Sequence, residues 1–166
     1  MKNNVKPIPN GYPQVIPYLI IDGADKAIEY YKKVFGAKVN GRMAMGNNKV
    51  GNAEIQIGDS RIMLVDVFPE SEHKDPKSIG DSPIALCIYV DDVDDVFKKA
   101  IDAGGKVDIK GEVDDMFWGD RSGTVIDPFG HRWMIMTHIE DVSYAEMQER
   151  FNKRMNEGKM AEAGHK

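Results

Sequence analysis

The chain has 166 residues and a mass of 18.6 kDa, which favours one domain with a substantial hydrophobic core. Its formal net charge is −5, and its 22 Lys and Arg residues are scattered among 27 Asp and Glu residues, so it lacks the basic surface that nucleic-acid binding requires. No segment approaches the roughly 20 apolar residues of a membrane span, and the single cysteine, Cys87, excludes an internal disulfide. These features predict a cytoplasmic protein without nucleic-acid or membrane partners.

The first predicted structural unit spans residues 14–67, after an N-terminal arm of residues 1–13. An apolar strand ends at Asp22, and an amphipathic helix follows, with Asp22 as its predicted N-cap and Gly36 as its predicted C-cap. The apolar residues of this helix recur at helical spacing, at Ala27, Ile28, Tyr31, Val34 and Phe35. Three strand-like runs follow, at about 37–45, 51–57 and 61–67.

The second unit spans residues 83–138, after a linker of residues 68–82 that is rich in Pro, Ser and charged residues. Its first strand ends at Asp91, a predicted helix N-cap, and Gly104 is the predicted C-cap. The apolar face of its helix consists of Val93, Val96, Phe97, Ala100 and Ile101. Strands are predicted at about 106–112, 116–126 and 131–138.

The two units are one pattern used twice. The segment "GAKV" at 36–39 corresponds to "GGKV" at 104–107, and Ile21-Asp22 corresponds to Val90-Asp91. Each unit is therefore predicted to have the order βαβββ, which indicates an α+β fold built from a tandem repeat.

A C-terminal segment of residues 139–158 contains a predicted helix over about 144–157. Ser143 and Glu146 have the spacing of a capping box at its start. Residues 159–166 are predicted to form a disordered tail.

The order of three motifs in the tandem units, "YLIIDGADKAIEYYKKVFGA", "WGDRSG" and "DPFGHRW", resembles the vicinal oxygen chelate superfamily, in particular its small glyoxalase/bleomycin-resistance-like proteins. The resemblance covers residues 14–138. It implies strands that form two incomplete barrels around cavities, which usually lie at the interface of a dimer. A homodimer that binds a small molecule is therefore expected.

Enzymes of that superfamily bind a divalent metal through one residue on the first strand and one on the last strand of each unit. The corresponding positions here are Ile16, Leu64, Ala85 and Met134. None of these side chains offers the carboxylate oxygen or imidazole nitrogen that such an ion prefers. The resemblance therefore predicts a relative without the usual metal, and no cofactor is expected.

Strand alternation separates side chains that face the helices from side chains that face the predicted cavity. On the last strand, Trp133 and Ile135 suit the helix side, which leaves the residues between them for the cavity. Other strands and the "WGDRSG" segment contribute aromatic, polar and charged groups, a mixture typical of small-molecule pockets. The candidate ligand-binding residues are Tyr18, Glu54, Gln56, Tyr89, Trp118, Arg121, Met134, Met136 and His138.

Each candidate also has a purely structural interpretation. Glu54 suits a general base or a ligand partner, or else a carboxylate paired with Lys or Arg. His138 suits an acid or base, or else a solvated strand end. Trp118 and Arg121 suit a planar, anionic ligand, or else Arg121 forms a structural network with Asp120. The Met and Tyr residues either line a cavity or fill the barrel.

Three functional hypotheses follow from these residues. The first is a metal-independent homodimer that binds a partly apolar organic molecule. The second is a lyase or isomerase that uses Glu54 and His138, with a displaced metal site or with no metal. The third is a structural or partner-binding module, and only the C-terminal helix supports it.

Overall fold

The structure is a computed structural model that describes residues 5–163, with side chains described through residue 157. Residues 1–4 of the predicted arm and 164–166 of the predicted tail lie outside the described residues. The first unit contains β1 (Tyr18–Ile21), α1 (Ala24–Phe35), β2 (Lys38–Met45), β3 (Lys49–Ile57) and β4 (Ser60–Asp66). A short helix, α2 (Pro76–Ile79), lies in the predicted linker. The second unit contains β5 (Ala85–Tyr89), α3 (Val93–Asp102), β6 (Lys106–Val107), β7 (Asp114–Asp115), β8 (Asp120–Ile126) and β9 (Arg132–His138), and α4 (Tyr144–Ala163) follows it.

Each unit forms its own mixed sheet, as the predicted α+β repeat requires. The first sheet has the order β1-β4-β3-β2, and the second has the order β5-β9-β8-β6 with β7 paired to β8. The first strand of each unit pairs in parallel with the last strand, and the remaining pairs are antiparallel. Neither sheet closes into a barrel within the described residues, so β1 and β5 are edge strands.

The start of α1 is capped from another strand. Asp66, at the end of β4, accepts hydrogen bonds from the backbone N–H groups of Gly23 (2.9 Å) and Ala24 (3.1 Å). The prediction that Asp22 caps this helix was wrong, because Gly23 is the N-cap and has a left-handed φ of 92°. The predicted C-cap is confirmed: the N–H of Gly36 donates to the Tyr31 carbonyl.

The ends of α3 differ from the prediction by one residue. Asp92, not Asp91, is the N-cap, and its carboxylate accepts a hydrogen bond from the N–H of Asp95 at 3.0 Å. The C-cap is Ala103, and Gly104 follows it in a left-handed conformation with a φ of 101°. The glycine is still required there, because it turns the chain immediately after the helix.

One hydrophobic core lies between the two sheets and contains the inner faces of α1 and α3. Tyr31 on α1 packs on Trp133 of β9, with ring centroids 5.3 Å apart, and Phe35 packs on the same indole at 4.5 Å. The Tyr31 hydroxyl donates to the Asp127 carboxylate at 2.7 Å. Helix α1 therefore packs on the first sheet and, through Tyr31 and Phe35, also on Trp133 of the second sheet, while α3 packs on the second sheet.

Three further predicted boundaries differ from the structure. The strand expected at 116–126 begins only at Asp120, after a turn at 117–119. The strand expected at 106–112 is reduced to Lys106–Val107, because the chain turns at Lys110, whose φ is 55°, and at Gly111, whose N–H donates to the Asp108 carbonyl. Helix α4 continues to Ala163, beyond the predicted end near 157, since most of the additional residues are good helix formers. No helix among the described residues is long and apolar enough to span a membrane.

Candidate ligand-binding site

Most of the candidate residues lie on the sheet faces that point away from α1 and α3. On the first sheet, Tyr18 of β1, Met63 of β4 and Glu54 of β3 are aligned across the strands. Directly paired residues share one face of a sheet, so these three side chains lie together. They are opposite Leu64 and Ile55, which are fully buried in the core. We call this surface the first open face.

The second sheet has an equivalent surface, which we call the second open face. Tyr89 of β5 is aligned with Met136 of β9, and Cys87 is aligned with Met134. On β9, Trp133 and Ile135 belong to the core cluster, whereas Met134 and Met136 lie outside it, although Met136 is only 6% exposed. The predicted alternation of β9 is thus confirmed, while a ligand-lining role for its methionines stays a prediction.

Glu54 lies within a polar group on the first open face. Its carboxylate accepts a hydrogen bond from Asn40 Nδ2 at 2.9 Å and is paired with the Arg61 guanidinium. Interaction with the Tyr12 hydroxyl, and then with Asn40 and Arg61, lowers the pKa of Glu54. Arg61 also stacks 4.4 Å from the centroid of the Tyr12 ring. Glu54 is therefore an ionised partner of Arg61 and Tyr12, as its structural interpretation proposed.

Gln56 continues this polar group along β3. It accepts a hydrogen bond from Asn40 Nδ2 at 3.3 Å and donates to the Gly58 carbonyl at 3.0 Å. Its amide is thus engaged at both ends, and a ligand would have to compete with these bonds.

Asp120 is the centre of the second open face. It is the first residue of β8, is 3% exposed, and is aligned with His138 on β9. Its Oδ2 accepts hydrogen bonds from the Tyr89 hydroxyl and from Trp118 Nε1, both at 2.9 Å. Its Oδ1 lies 2.8 Å from His138 Nδ1. The structure thus brings three candidate residues, Tyr89, Trp118 and His138, together around one buried carboxylate.

The position of His138 changes its acid–base chemistry. Hydrogen bonding to Asp120, and then to Asp141, raises its pKa above the ordinary value of 6.5. Hydrogen bonding to Asp120 also raises the pKa of Tyr89, because the neutral phenol is the form that donates. Both shifts favour the protonated forms of these side chains, the imidazolium of His138 and the neutral phenol of Tyr89.

Arg121 does not join this cluster. It is paired in register with Thr137, on the helix side of the second sheet, and its guanidinium binds Asp94 of α3 at 2.8 Å and Asp115 of β7 at 2.9 Å. Those bonds, with Asp94 first, raise its pKa. The guanidinium is thus occupied by two carboxylates, and its partners are different from the Asp120 that the structural interpretation named.

An open cleft of about 900 Å³ lies between the N-terminal arm, the β3–β4 turn and β5. Tyr89 is the only candidate residue that lines it, and Cys87 adjoins Tyr89 on the same strand. Phe35, Trp133 and Arg61 also line it. The cleft therefore connects the aromatic part of the core with one edge of the second open face.

Comparison with known proteins identifies the family of this arrangement. Residues 14–135 match the model of the Glyoxalase/Bleomycin resistance protein/Dioxygenase superfamily. The chain belongs to this superfamily.

Relatives of the superfamily resemble the chain over most of its length. An uncharacterized protein of Mycobacterium bovis is 35% identical over 142 residues, which cover 84% of this chain and 92% of the relative. A solved structure of an Arabidopsis thaliana gene product has a TM-score of 0.62 and 25% identity, and the match covers 75% of this chain and 98% of that one. A bleomycin resistance determinant encoded on the transposon Tn5 has a TM-score of 0.54 and 20% identity, with 76% and 98% covered, and supports the fold alone.

The superfamily framework allows the predicted metal positions to be checked. Ala85 and Met134 lie on the second open face, but Leu64 does not lie on the first, because it is fully buried on the helix side. Met63 is the residue of β4 that aligns with Glu54 and Tyr18, so the predicted position was wrong by one residue. Ile16 precedes β1 and is half-buried. The described residues contain no group of three His, Cys, Asp or Glu side chains that could hold a metal ion.

Sequence reasoning had missed the two residues that organise the open faces of this superfamily member. Asp120 had been considered only as a partner of Arg121. The two residues are adjacent on β8, so their side chains point to opposite faces of the sheet. Arg61 had not been considered, yet its pairing with Gln56 places it beside Glu54. The signal in both cases is strand register, which the local pattern alone does not provide.

Proposed function

We propose that this protein binds a partly apolar organic molecule on its open sheet faces and does so without the divalent metal typical of its superfamily. The observation that supports this most strongly is the character of these faces. They expose large apolar side chains, with Tyr18 51% and Tyr89 62% exposed, next to the polar groups of Glu54 and Asp120. Contiguous exposed apolar surface rimmed by polar residues is typical of a binding surface.

We propose further that a second copy of the chain completes the site. The two open faces belong to different sheets, and each lies on the side of its sheet that is turned away from the helical core. Tyr18 and Tyr89 remain more than half exposed on these faces, so an open face from another chain would enclose a ligand there. A symmetric homodimer supplies one, and it would also cover the exposed edge strands β1 and β5.

The proposal that the usual metal is absent rests on the residues at the four superfamily positions. With Met63 in place of Leu64, these are Ile16, Met63, Ala85 and Met134, and none carries an oxygen or imidazole ligand. A hard divalent ion has no suitable donor among such side chains. The acidic charge and the lone cysteine support the accompanying proposal of a cytoplasmic protein.

Native mass spectrometry of freshly purified protein tests these proposals together. We expect a dimer of twice 18.6 kDa, well under one equivalent of divalent metal, and a retained or added organic ligand bound to the dimer. A monomer at micromolar concentration would contradict the shared site. One tightly held transition metal per chain would contradict the metal-independent site.

An enzymatic lyase or isomerase is the second candidate, and the Asp120–His138 pair favours it, since a histidine fixed by a buried carboxylate is a common acid–base arrangement. Glu54 and His138 lie on different sheets and bind different partners within one chain, so the structure does not bring them together as one acid–base pair. Solvent-deuterium exchange into enolisable ketones, compared between the wild type and His138→Gln, tests this function. No exchange above the variant's background would argue against it.

A further inference from the structure

His138 lies between two carboxylates that differ sharply in burial. Its Nδ1 is 2.8 Å from Asp120, whose side chain is 5% exposed, and its Nε2 is 3.0 Å from Asp141, whose side chain is fully exposed. One side of the imidazole is thus fixed inside the protein, while the other side faces a carboxylate at the surface.

The buried carboxylate has little freedom to move. Tyr89 and Trp118 donate to its Oδ2, which leaves Oδ1 for His138. Since each ring nitrogen of His138 faces a carboxylate oxygen, both nitrogens donate, and only the imidazolium has two N–H donors. The titratable groups that act on the ring are Asp120 from β8 and Asp141 from the segment after β9, and Tyr89 from β5 acts through Asp120.

Building on the proposed function, we propose that His138 binds the carboxylate of an organic acid: Asp120 holds the imidazolium in place, and the ligand carboxylate replaces that of Asp141 at Nε2. In this exchange a ligand carboxylate takes over the hydrogen bond at Nε2, and the Asp141 carboxylate turns into solvent, so neither carboxylate has to be buried. Asp141 is suited to such an exchange because nothing covers its side chain within the described part of the chain. The exposed ring of Tyr89, which is aligned with Met136 on the same face, offers apolar contact for the rest of the ligand.

This role differs from that of a purely structural ion pair, because replacing the two aspartates is predicted to change the affinity for the organic acid in opposite directions. Asp141→Asn removes the competing surface carboxylate, so the acid should bind about threefold more tightly, in keeping with the modest strength of exposed ion pairs. Asp120→Asn removes the charge that fixes the imidazolium, so binding should weaken by about tenfold, because charge-assisted hydrogen bonds are the stronger ones. Each variant converts one carboxylate next to His138 into an amide, and each therefore serves as the matched control of the other.

The experiment uses the full chain labelled with ¹⁵N-histidine and titrated with benzoate, with benzamide as the uncharged control. The signal of His138 is assigned by its loss in His138→Gln. We expect benzoate to shift His138 Nε2, benzamide to leave it unchanged, and the benzoate affinity to fall as the pH rises through the His138 titration. Because Asp120 is buried and its replacement puts folding at risk, His138→Gln provides the second test. This residue is half exposed, and its replacement should abolish the pH dependence of benzoate binding.

Three results would overturn the inference: equal effects of the two aspartate variants, pH-independent benzoate binding, or shifts confined to other histidines. Other results distinguish a failure of the proposed function from a failure of the role of His138. Retention of an apolar ligand while benzoate leaves His138 unaffected would reject only the role of His138. Benzoate binding as expected, in a protein that native mass spectrometry shows to be a monomer, would support the role of His138 and contradict the proposed shared site.

Discussion

Met134 and its neighbour Ile135 provide the sharpest test of the open faces at the scale of single residues. Met134 is half-buried outside the core, whereas Ile135 is fully buried within it. Met134→Glu should lower the free energy of unfolding by no more than about 1 kcal/mol, since its carboxylate can stay hydrated. Ile135→Glu should cost on the order of 4 kcal/mol, because it buries an unpaired charge. Thermal unfolding at neutral pH measures both.

A severe loss in Met134→Glu that is recovered on acidification would show that this residue lies in a dry environment, because protonation would then relieve the buried charge. Comparable losses in both variants would contradict the assignment of an open face on β9.

His138 also predicts a pH dependence of stability. Its pKa in the folded protein is raised by Asp120 and then by Asp141, so folding favours the protonated form. The stabilisation is therefore fully present below the unfolded value of about 6.5 and is lost as the pH rises through the folded pKa. The difference in melting temperature between the wild type and His138→Gln should shrink as the pH rises above 6.5. A difference that is constant from pH 5 to pH 9 would contradict the hydrogen bonds to His138.

At the scale of elements, the start of α1 depends on a strand that is distant in sequence. Asp66 accepts hydrogen bonds from Gly23 and Ala24, and also from the N–H of Val50 at 2.7 Å, so it joins α1, β3 and β4. Asp66→Ala should lower the free energy of unfolding by about 3 kcal/mol, because it leaves buried N–H groups without acceptors. Asp22→Ala, at the exposed position predicted from the sequence, should change it by less than about 0.5 kcal/mol. Urea denaturation measures both, and equal effects would restore Asp22 as the cap.

The contrast between Asp22 and Asp66 shows how far local patterns reach. Helix spacing predicted the buried face of α1, including Tyr31 and Val34, because that face depends on a period of 3.6 residues. The cap depends on which strand end lies beside the helix, and this is decided by the parallel pairing of β1 with β4. Local sequence patterns therefore predict where helices and strands lie, but they do not predict which residues those elements contact in the folded protein.

The same limit explains the errors in the candidate site. Alternation within β9 was correct, because a strand period of two is a local property. The metal-ligand position predicted on β4 was wrong by one residue, because matching β4 to β9 requires the registers of the β1–β4 and β5–β9 pairs. One residue is sufficient to move a side chain from the open face to the core, as Met63 and Leu64 show.

At the scale of the whole molecule, Cys87 reports whether the open faces are covered. It is exposed on the edge strand β5 and is aligned with Met134. If a second copy covers this face, Cys87 should react with a thiol reagent such as Ellman's reagent about tenfold more slowly at micromolar protein concentration than at strong dilution. The protein unfolded in guanidinium provides the control for full reactivity. A rate equal to that of the unfolded chain at every concentration would show that the face is uncovered.

The bond between Tyr31 and Asp127 affects how the protein is made. The two residues are 96 positions apart, and Asp127 also accepts a hydrogen bond from the indole of Trp133 at 3.0 Å. During synthesis on a ribosome, α1 and the strands of its own repeat emerge long before Asp127 and Trp133, so Tyr31 at first lacks both its hydrogen-bond acceptor and its ring partner. The core of the first repeat is therefore incomplete until nearly the whole chain is made, and a nascent chain arrested before residue 127 should remain sensitive to protease and dependent on chaperones.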